Sequence, residues 1–372
     1  MSQVREEAAA VKAGTTPVLT VTDLAVSFDN SAGGPRIQAV NGVNMSVYPR
    51  QTLAVVGESG CGKSVTAMSA MQLIPRPPGR FDRGQILFQG QDILSLSERE
   101  MLKVRGGKIA MIFQEPMTSL NPVYTIGDQI IEAVLLHQNV DAAAARAVAL
   151  QALKDVGIRG AEERMDMYPH QFSGGMRQRV MIAMALACRP ALLLADEPTT
   201  ALDVTIQAQI LELLRELQQS RDMGIMLITH NLGVVAENAD VVCVMYAGRV
   251  VEYANVFELF DEPLHPYTRG LFRSIPMLRD VKHRLVTIED VTGDPAEFRK
   301  LEGVVPWWPH LVDPRGPGAA DRARVVPPLA EDADEHCLVE VRPGRWVGCW
   351  RTPELHARAL SRPDLAYRRA DL

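Results

Sequence analysis

The sequence lacks any long apolar segment. Its longest apolar stretch runs from Val180 to Ala195 and is interrupted by Arg189 and Pro190, whereas a membrane-spanning helix needs about 20 apolar residues. The first residues, MSQVREEAAAVKAGTT, also lack the apolar core of a secretory signal. We therefore expect a chain that does not cross a bilayer.

Cysteine and clustered basic charge are also scarce. Five cysteines among 372 residues, in a chain without a secretory signal, predict reduced thiols rather than a disulfide framework. The formal net charge is −6 and the lysines and arginines are scattered, so no basic surface for a polyanion is expected. Nucleic acid is therefore not a predicted partner.

The chain does contain enough apolar residues for a large core. Hydrophobic residues make up 47% of it and charged residues 23%, which is ordinary for a globular protein. The length predicts one large domain and an appendage. The stretches VLTVTDLAVSF and MSVYPRQTLAVVG alternate apolar and polar residues, a pattern typical of half-buried strands. An α/β fold with a β-rich start is expected.

The pattern along the chain divides it into four parts. Residues 1–17 predict a flexible tail, and residues 18–260 predict an α/β domain in which strand signals alternate with helices. Within that domain, residues 116–189 carry helical periodicity and predict a separate helical lobe, including a helix that starts at Asp141 and ends at Gly157. Residues 261–372 predict a less regular extension.

The stretch GESGCGKS predicts a phosphate-binding loop. It follows the apolar stretch Thr52 to Val56 and precedes a segment with helical spacing, the context that this motif requires. Its glycines let backbone N–H groups turn toward a phosphate at a helix N-terminus. Lys63 would bridge the β- and γ-phosphates, and the Ser64 hydroxyl would ligate Mg²⁺.

The stretch ALLLADEPTTALD predicts the hydrolytic carboxylates. Four apolar residues form a buried strand that ends at Asp196 and Glu197, and neighbouring side chains on a strand point to opposite sides. Asp196 fits a role at Mg²⁺, and Glu197 fits the general base that deprotonates an attacking water. Glu197 could alternatively do no more than end a strand.

The stretch QFSGGMRQRVMIAMALA predicts a second anion-binding helix start. Ser173, Gly174 and Gly175 would open a helix whose first amides point outward. Because GESGCGKS already supplies a phosphate cradle, these spare donors suggest a nucleotide held by another subunit. Taken alone, a Ser-Gly-Gly turn is weak evidence.

Together these motifs resemble the nucleotide-binding subunit of an ATP-binding cassette (ABC) transporter. The resemblance is carried by GESGCGKS, Gln114 in IFQEP, FSGGMRQR, LLLADEPTTALD and His230 in LITH, in that order. It implies a P-loop NTPase cassette, with a RecA-like core, an antiparallel β subdomain and an α-helical subdomain. It also implies two subunits paired head to tail, with ATP sandwiched between the P-loop of one and the Ser-Gly-Gly helix of the other.

The resemblance also implies roles for individual residues. Phe28 would stack on adenine, although an ordinary core phenylalanine is the alternative. Gln114 would contact Mg²⁺ and the water, and His230 would hold the γ-phosphate. Asp203 would lie at the subunit interface, or simply cap the helix that follows. The nucleotide-binding residues expected in the P-loop are Gly57, Ser59, Gly60, Cys61, Gly62, Lys63, Ser64 and Val65.

Two further stretches narrow the resemblance to the ATP-binding subunits of oligopeptide, dipeptide and nickel permeases. EPMTSLNPVYTIGDQI follows Gln114 and would border the groove that receives the permease, and EPLHPYTRGLFRSIP would begin the C-terminal extension. Phe172 and Met176 depart from the commonest form of the third motif, which we interpret as a branch variant. Trp307 and Trp308 could contact peptide or pack the extension onto the core.

Many members of this group carry four C-terminal cysteines associated with an iron–sulfur cluster. Here Val312 to Arg324 contains no cysteine, and the extension has only Cys337 and Cys349. A cluster needs four ligands. We therefore expect no iron–sulfur cluster.

The implied function is ATP hydrolysis coupled to solute uptake at the cytoplasmic face of a membrane. The expected partners are a second cassette, which the resemblance favours as a paralogue, two transmembrane permease subunits and, indirectly, an extracytoplasmic solute-binding protein. The open alternatives are a non-transport ABC ATPase and a regulatory cassette whose partner site performs the hydrolysis. The transported solute is not determined by the sequence.

Overall fold

The computed structural model describes residues 16–30, 33–114, 119–200, 202–274, 286–301, 303–309, 336–352, 355 and 363–369. The predicted tail of residues 1–17 therefore lies almost entirely outside the described residues. The strands are β1 (Leu19–Phe28), β2 (Ile37–Val47), β3 (Thr52–Val56), β4 (Gly79–Phe88), β5 (Gln91–Asp92), β6 (Ile109–Ile112), β7 (Leu192–Asp196), β8 (Gly224–Ile228), β9 (Val241–Tyr246), β10 (Arg249–Asn255), β11 (His336–Arg342) and β12 (Arg345–Trp350). The helices are α1 (Lys63–Ala70), α2 (Glu98–Val104), α3 (Ile126–His137), α4 (Ala142–Asp155), α5 (Ala161–Arg164), α6 (Gly174–Leu186), α7 (Val204–Arg221), α8 (Leu232–Asn238), α9 (Val256–Asp261), α10 (Pro266–Arg273) and α11 (Ile288–Thr292).

A central sheet forms the core, with the strand order β11-β12-β10-β9-β3-β8-β7-β6. The strands β9, β3, β8, β7 and β6 run parallel to one another. Every residue of β3, β7 and β8 is buried, because helices cover both faces of a parallel sheet. The carboxyl ends of these strands meet at one edge of the sheet, where α/β proteins bind ligands.

A second sheet has the order β2-β1-β4-β5 and is antiparallel. The alternating sequence of β1 buries apolar residues such as Leu19, Val21 and Leu24. The core of this sheet is continuous with apolar residues of β3 and α1. The antiparallel β subdomain expected from the resemblance is thereby confirmed.

Helices α3 to α6 form a lobe beside the edge strand β6. Asp141 caps α4 by accepting a hydrogen bond from the amide of Ala144, as the sequence predicts, and Gly157 follows the helix with a left-handed φ of 73°. Buried residues of α3, α4 and α6 pack with β7, β8 and α7. The P-loop cassette fold, with its RecA-like core and helical subdomain, is confirmed.

The C-terminal extension is more regular than the sequence suggested. Strands β11 and β12 form a hairpin, and β12 pairs antiparallel with β10, so the central sheet continues beyond residue 260. Alternation was hard to recognise there because most residues of the two strands are buried. Cys337 and Cys349 are opposed in this hairpin, whereas Val312 to Arg324 lies outside the described residues.

The extension also packs onto the core through aromatic residues. Trp307 and Trp308 are buried with Val244, Tyr267 and Trp350 in one apolar cluster, which supports the packing interpretation of the tryptophan pair. Within the part of the chain that the structure describes, none of the helices has both the length and the apolar character that crossing a membrane would require.

Candidate nucleotide-binding site

The glycine-rich loop joins the end of β3 to the start of α1. Gly57 has φ 148°, and a Cβ atom there would lie 2.1 Å from the carbonyl oxygen of Met245. Gly62 has φ 101°, and its Cβ would lie 2.4 Å from the carbonyl oxygen of Ala39. Both positions require glycine, because a side chain would be strained and would collide with backbone. The conformation of the loop at these two positions is thus available only to glycine.

Lys63 lies at the first turn of α1 and reaches back across this loop. Its Nζ donates to the carbonyl oxygens of Gly57 and Glu58, each at 2.8 Å, and the residue is buried. Its Nζ also lies 3.7 Å from Cys61 Sγ, so the three N–H donors of the ammonium group are directed at the loop that the lysine braces. The loop amides, the helix N-terminus and this cation together favour an anion.

Asp196 ends β7 beside the start of α1. The Ser64 hydroxyl donates a hydrogen bond to its carboxylate. Burial and the neighbouring Glu197 charge raise the pKa of Asp196 above its ordinary value, against the opposing effects of Ser64 and Lys63. A buried carboxylate whose charge is under-compensated, next to a hydroxyl, is a donor set that suits Mg²⁺.

Glu197 follows the strand with a left-handed φ of 48°. Its Oε2 accepts hydrogen bonds from Gln114 Nε2 at 2.9 Å and Thr200 Oγ1 at 2.8 Å, and its Oε1 lies 3.0 Å from His230 Nδ1. Partial burial raises the pKa of Glu197, but the hydrogen bonds from His230 and Thr200 outweigh it and leave the pKa below its ordinary value. The carboxylate is therefore ionised at neutral pH and oriented by three side chains.

The P-loop, Lys63, Glu197 and the partners Gln114 and His230 surround one cavity of about 380 Å³, whereas Asp196 lines a neighbouring cavity. The described lining of the P-loop cavity comprises the P-loop, part of α1, the hydrolytic candidates and four apolar residues. The lining residues that the sequence predicts are Gly57, Ser59, Gly60, Gly62, Lys63, Ser64, Val65, Gln114, Glu197 and His230. Cys61, the remaining predicted residue of the loop, is buried and does not line the cavity. The structure therefore brings the P-loop and the candidate hydrolytic residues together.

The remaining predicted residues are described but do not line this cavity. Phe28 ends β1, half-buried against the antiparallel core. Ser173 caps α6 by accepting from the amide of Met176, and Asp203 caps α7 by accepting from the amide of Ile206. A Cβ at Gly175 would lie 2.9 Å from Ile206 Cγ2, so the two helix starts pack together. Their location outside the cavity is compatible with a site completed by a second subunit.

Several residues at the site were not identified from the sequence, and they include Thr200, Leu271 and Tyr267. Thr200 donates to Glu197, Leu271 lines the cavity, and the Tyr267 hydroxyl accepts a hydrogen bond from the Glu58 amide at 3.1 Å. Thr200 lies three residues after Glu197 in the DEPTT stretch, so the sequence could have indicated its hydroxyl as a partner of the carboxylate. Tyr267 and Leu271 lie about 200 residues beyond the P-loop, and only the HPYT stretch pointed to that region.

A second cavity of about 820 Å³ lies between the core and the helical lobe. It is mostly apolar, with Met68, Met181 and Met184 in its walls, and it reaches Ser64, Gln114 and Asp196 at one end. Tyr124 and Val123, at the start of the lobe, are 56% and 71% exposed. The apolar cavity therefore extends to the metal-binding candidates, and exposed apolar side chains lie at the start of the same helical lobe.

A parallel sheet with a glycine-rich loop, a buried lysine and paired carboxylates at its carboxyl edge defines the class of P-loop nucleoside triphosphatases. Comparisons with known proteins refine this class. Residues 40–200 match the family described as "ABC transporter", and residues 251–303 match "Oligopeptide/dipeptide transporter, C-terminal region".

Individual relatives agree with these matches. The chain is 57% identical to the oligopeptide transport ATP-binding protein OppD of Bacillus subtilis, over 76% of this chain and 78% of the relative. It is 47% identical to the dipeptide transport ATP-binding protein DppD of Escherichia coli, over 86% of this chain and 96% of the relative. A solved dimeric ATP-binding cassette, MJ0796 bound to ADP and Pi, is 25% identical with a TM-score of 0.56, covering 64% of this chain and 98% of that one.

This chain belongs to the ABC transporter family of ATP-binding subunits, in its oligopeptide/dipeptide branch. It is an ATPase. The expected family, fold class and enzymatic activity are thereby confirmed, and a non-transport ABC ATPase is not favoured.

Proposed function

We propose that this chain hydrolyses MgATP to drive uptake of oligopeptides or dipeptides through a membrane permease. The observation that carries the proposal is the Glu197 carboxylate, ionised and held by Gln114, Thr200 and His230 at the rim of the P-loop cavity. The peptide cargo is inferred from the relatives named for oligopeptide and dipeptide transport. A site built only to bind nucleotide has no need of an oriented base.

The nucleotide would be held by the P-loop residues that line the cavity and by Lys63. Gly60 is exposed, and a Cβ there would meet nothing within 4 Å, so its backbone is open to close approach of phosphates. The proposed metal ligands are Ser64, Gln114 and Asp196. Mg²⁺ would neutralise charge on the phosphates.

The proposed work of the remaining side chains follows from their contacts. Glu197 accepts a proton from water and directs that water at the terminal phosphate, while Gln114 and Thr200 fix the orientation of the carboxylate. His230 steadies the other carboxylate oxygen and would contact the γ-phosphate. A second subunit would contribute Ser173, Gly174, Gly175 and Asp203, and Phe28 would stack on adenine.

The proposed partners are a second cassette, with a paralogue favoured, and two transmembrane permease subunits. An extracytoplasmic solute-binding protein would act indirectly by supplying the peptide. The apolar cavity beside Gln114 and the exposed Val123 and Tyr124 support permease docking near the helical lobe. The chain would therefore lie at the cytoplasmic face of the membrane.

Transport assays test the proposal. The chain is reconstituted in vesicles with its permease and partner cassette, and ATP turnover and the accumulation of labelled di- and oligopeptides are measured. Lys63→Ala should abolish both, whereas Lys103→Ala, which changes an exposed lysine on α2, should alter neither. ATP turnover without accumulation of any peptide by the unmodified assembly would contradict the peptide cargo and leave the ATPase assignment intact.

A further inference from the structure

The C-terminal extension makes a direct contact with the phosphate-binding loop. The hydroxyl oxygen of Tyr267 accepts a hydrogen bond from the Glu58 backbone amide at 3.1 Å. Glu58 is the second residue of GESGCGKS, and its carbonyl oxygen accepts from Lys63 Nζ. The same short loop segment is thus held by the lysine on one side and by the extension on the other.

Helix α10 is held firmly enough to make this contact specific. His265 caps the helix by accepting from the Tyr267 amide, and its Nε2 donates to the carbonyl oxygen of Trp307 at 2.9 Å. Arg269 Nε donates to Glu297 Oε2 at 2.7 Å, and both side chains are about nine-tenths buried. Capping, packing and a buried ion pair therefore fix the position of the Tyr267 ring.

The ring of Tyr267 also packs against an aromatic cluster formed by Tyr246 and Trp308. Its centroid lies 4.7 Å from that of Tyr246, which in turn stacks on Trp308 at 4.4 Å. Tyr246 directly follows Met245, whose carbonyl oxygen is the atom that forbids a side chain at Gly57. One cluster therefore connects α10, the tryptophan pair of the extension and the start of the P-loop.

We propose that Tyr267 is a positioning residue for nucleotide binding, through which the C-terminal extension sets the conformation of the P-loop. This inference rests on the proposed ATP-binding role of that loop. The ring provides packing, and the hydroxyl accepts from the Glu58 amide, which adds to the hold that Lys63 has on the same segment of the loop. The extension then influences the affinity of the P-loop for the phosphates of the nucleotide, while Glu197 and His230 influence the rate of hydrolysis.

The matched pair Tyr267→Phe and Tyr253→Phe tests this inference in the full chain. Tyr253 is also fully buried, but its hydroxyl donates to the Ser46 carbonyl oxygen in the antiparallel subdomain. Because an amide donor loses its acceptor, Tyr267→Phe should raise the KM for MgATP and the Kd for ATP and ADP about tenfold. Its kcat should stay within about twofold of the unmodified value, since the hydrolytic side chains are untouched.

Two kinetic results would overturn the inference. One is a KM for Tyr267→Phe within about twofold of the unmodified chain. The other is an equal rise in KM in Tyr253→Phe, which would indicate general loosening. If the unmodified chain failed to bind ATP, the proposed function itself would be wrong and the role of Tyr267 in nucleotide binding would fall with it. Amide exchange would then report only on the contact between Tyr267 and the loop.

Hydrogen exchange at the Glu58 amide is measured in the absence of nucleotide, so it tests the contact independently of ATP binding. In the unmodified chain this amide should exchange at least about tenfold more slowly than an unprotected amide in the same sequence context. Tyr267→Phe should remove that protection and Tyr253→Phe should retain it. If Tyr267→Phe does not fold, the exchange rate of the Glu58 amide in the unmodified chain tests the contact by itself. A rate equal to that of an unprotected amide would refute the hydrogen bond to Tyr267.

Discussion

Nδ1 of His230 lies 3.0 Å from Oε1 of Glu197, while Gln114 and Thr200 donate to the other oxygen of the same carboxylate. The two oxygens are thus held by groups from three separate parts of the chain. A base with this many partners keeps one orientation, so its removal should affect chemistry rather than binding.

Replacing Glu197 with Gln should lower kcat for ATP hydrolysis by about 10²- to 10⁴-fold, because the proposed general base is lost. The Kd for ATP should change by less than about threefold, since the P-loop is intact. Steady-state turnover and equilibrium nucleotide binding measure the two effects. Glu212→Gln, an exposed change on α7, is the control. Near-normal turnover in Glu197→Gln would favour a regulatory cassette whose partner performs the hydrolysis.

Replacing Gly62 with Ala should abolish detectable ATP binding or prevent stable folding. The new side chain would sit on a backbone with φ 101°, and its Cβ would lie 2.4 Å from the Ala39 carbonyl oxygen, so both strain and collision oppose it. Gly90→Ala is the matched control, because Gly90 has φ 83° but a Cβ there would meet nothing within 4 Å. Nucleotide titration and thermal unfolding compare the two. Equal losses of ATP binding and thermal stability in the two variants would show that the positive φ alone, and not the close approach to Ala39, requires glycine at position 62.

Replacing Val123 with Asp should reduce peptide uptake at least about tenfold while leaving ATP affinity unchanged. Val123 is 71% exposed at the start of the helical lobe. A charge there would weaken a buried contact with the permease without disturbing the fold. Uptake in reconstituted vesicles and nucleotide binding by the separate subunit measure the two quantities. A matching loss of ATP affinity would contradict permease docking at this face.

Replacing Arg345 with Met should lower the free energy of unfolding by about 3 kcal/mol. Its Nη2 lies 3.2 Å from Oε1 of Glu252, and both side chains are at least 95% buried, so the carboxylate would lose its charged partner. Arg342→Met removes the exposed partner of Glu262 on the same hairpin and should cost less than about 1 kcal/mol. Urea unfolding at pH 7 compares the variants. Equal decreases in the free energy of unfolding in Arg345→Met and Arg342→Met would contradict the expectation that the buried ion pair contributes more than the exposed one.

Acid should destabilise the extension through His265 and His336. Burial lowers the pKa of His265 to about 3, assisted by the Arg269 charge, and burial together with Arg249 places the pKa of His336 well below its ordinary value. Below about pH 6.5 the unfolded chain therefore binds protons that the native chain does not. The free energy of unfolding should fall as pH drops below 6.5, by up to about 1.4 kcal/mol per pH unit for each histidine.

Urea unfolding between pH 7.5 and 5.5 measures this slope. His265→Asn should reduce the slope relative to the unmodified chain, because one of the two contributions is removed while the carboxylates are common to both proteins. An unchanged slope would contradict the neutral, buried state of His265.

Local patterns predicted most of the fold. The apolar β3, the glycine loop and the periodicity of α1 are features of neighbouring residues, so the phosphate cradle was visible in the sequence. Asp141, Ser173 and Asp203 cap their helices by contacts that span only three residues, which the sequence also displays.

The contacts that were missed join distant parts of the chain. Tyr267 lies 209 residues from Glu58, and no periodicity relates an HPYT stretch to a P-loop. The hairpin of β11 and β12 was equally hard to recognise, because its buried strands give little alternation. The roles of Ser173, Gly174, Gly175 and Asp203 depend on a second subunit, the role of Phe28 depends on a bound adenine, and all of them remain predictions.

The continuation of the central sheet by β12 has a consequence for how the chain can be divided. If the chain were cut at residue 260, β10 would become an edge strand whose unpaired amides and carbonyls could template pairing with other chains. The same cut would uncover the apolar faces that Trp350 and Trp307 now cover. The extension is therefore part of what protects the catalytic half from aggregation, and a minimal ATPase fragment would have to include it.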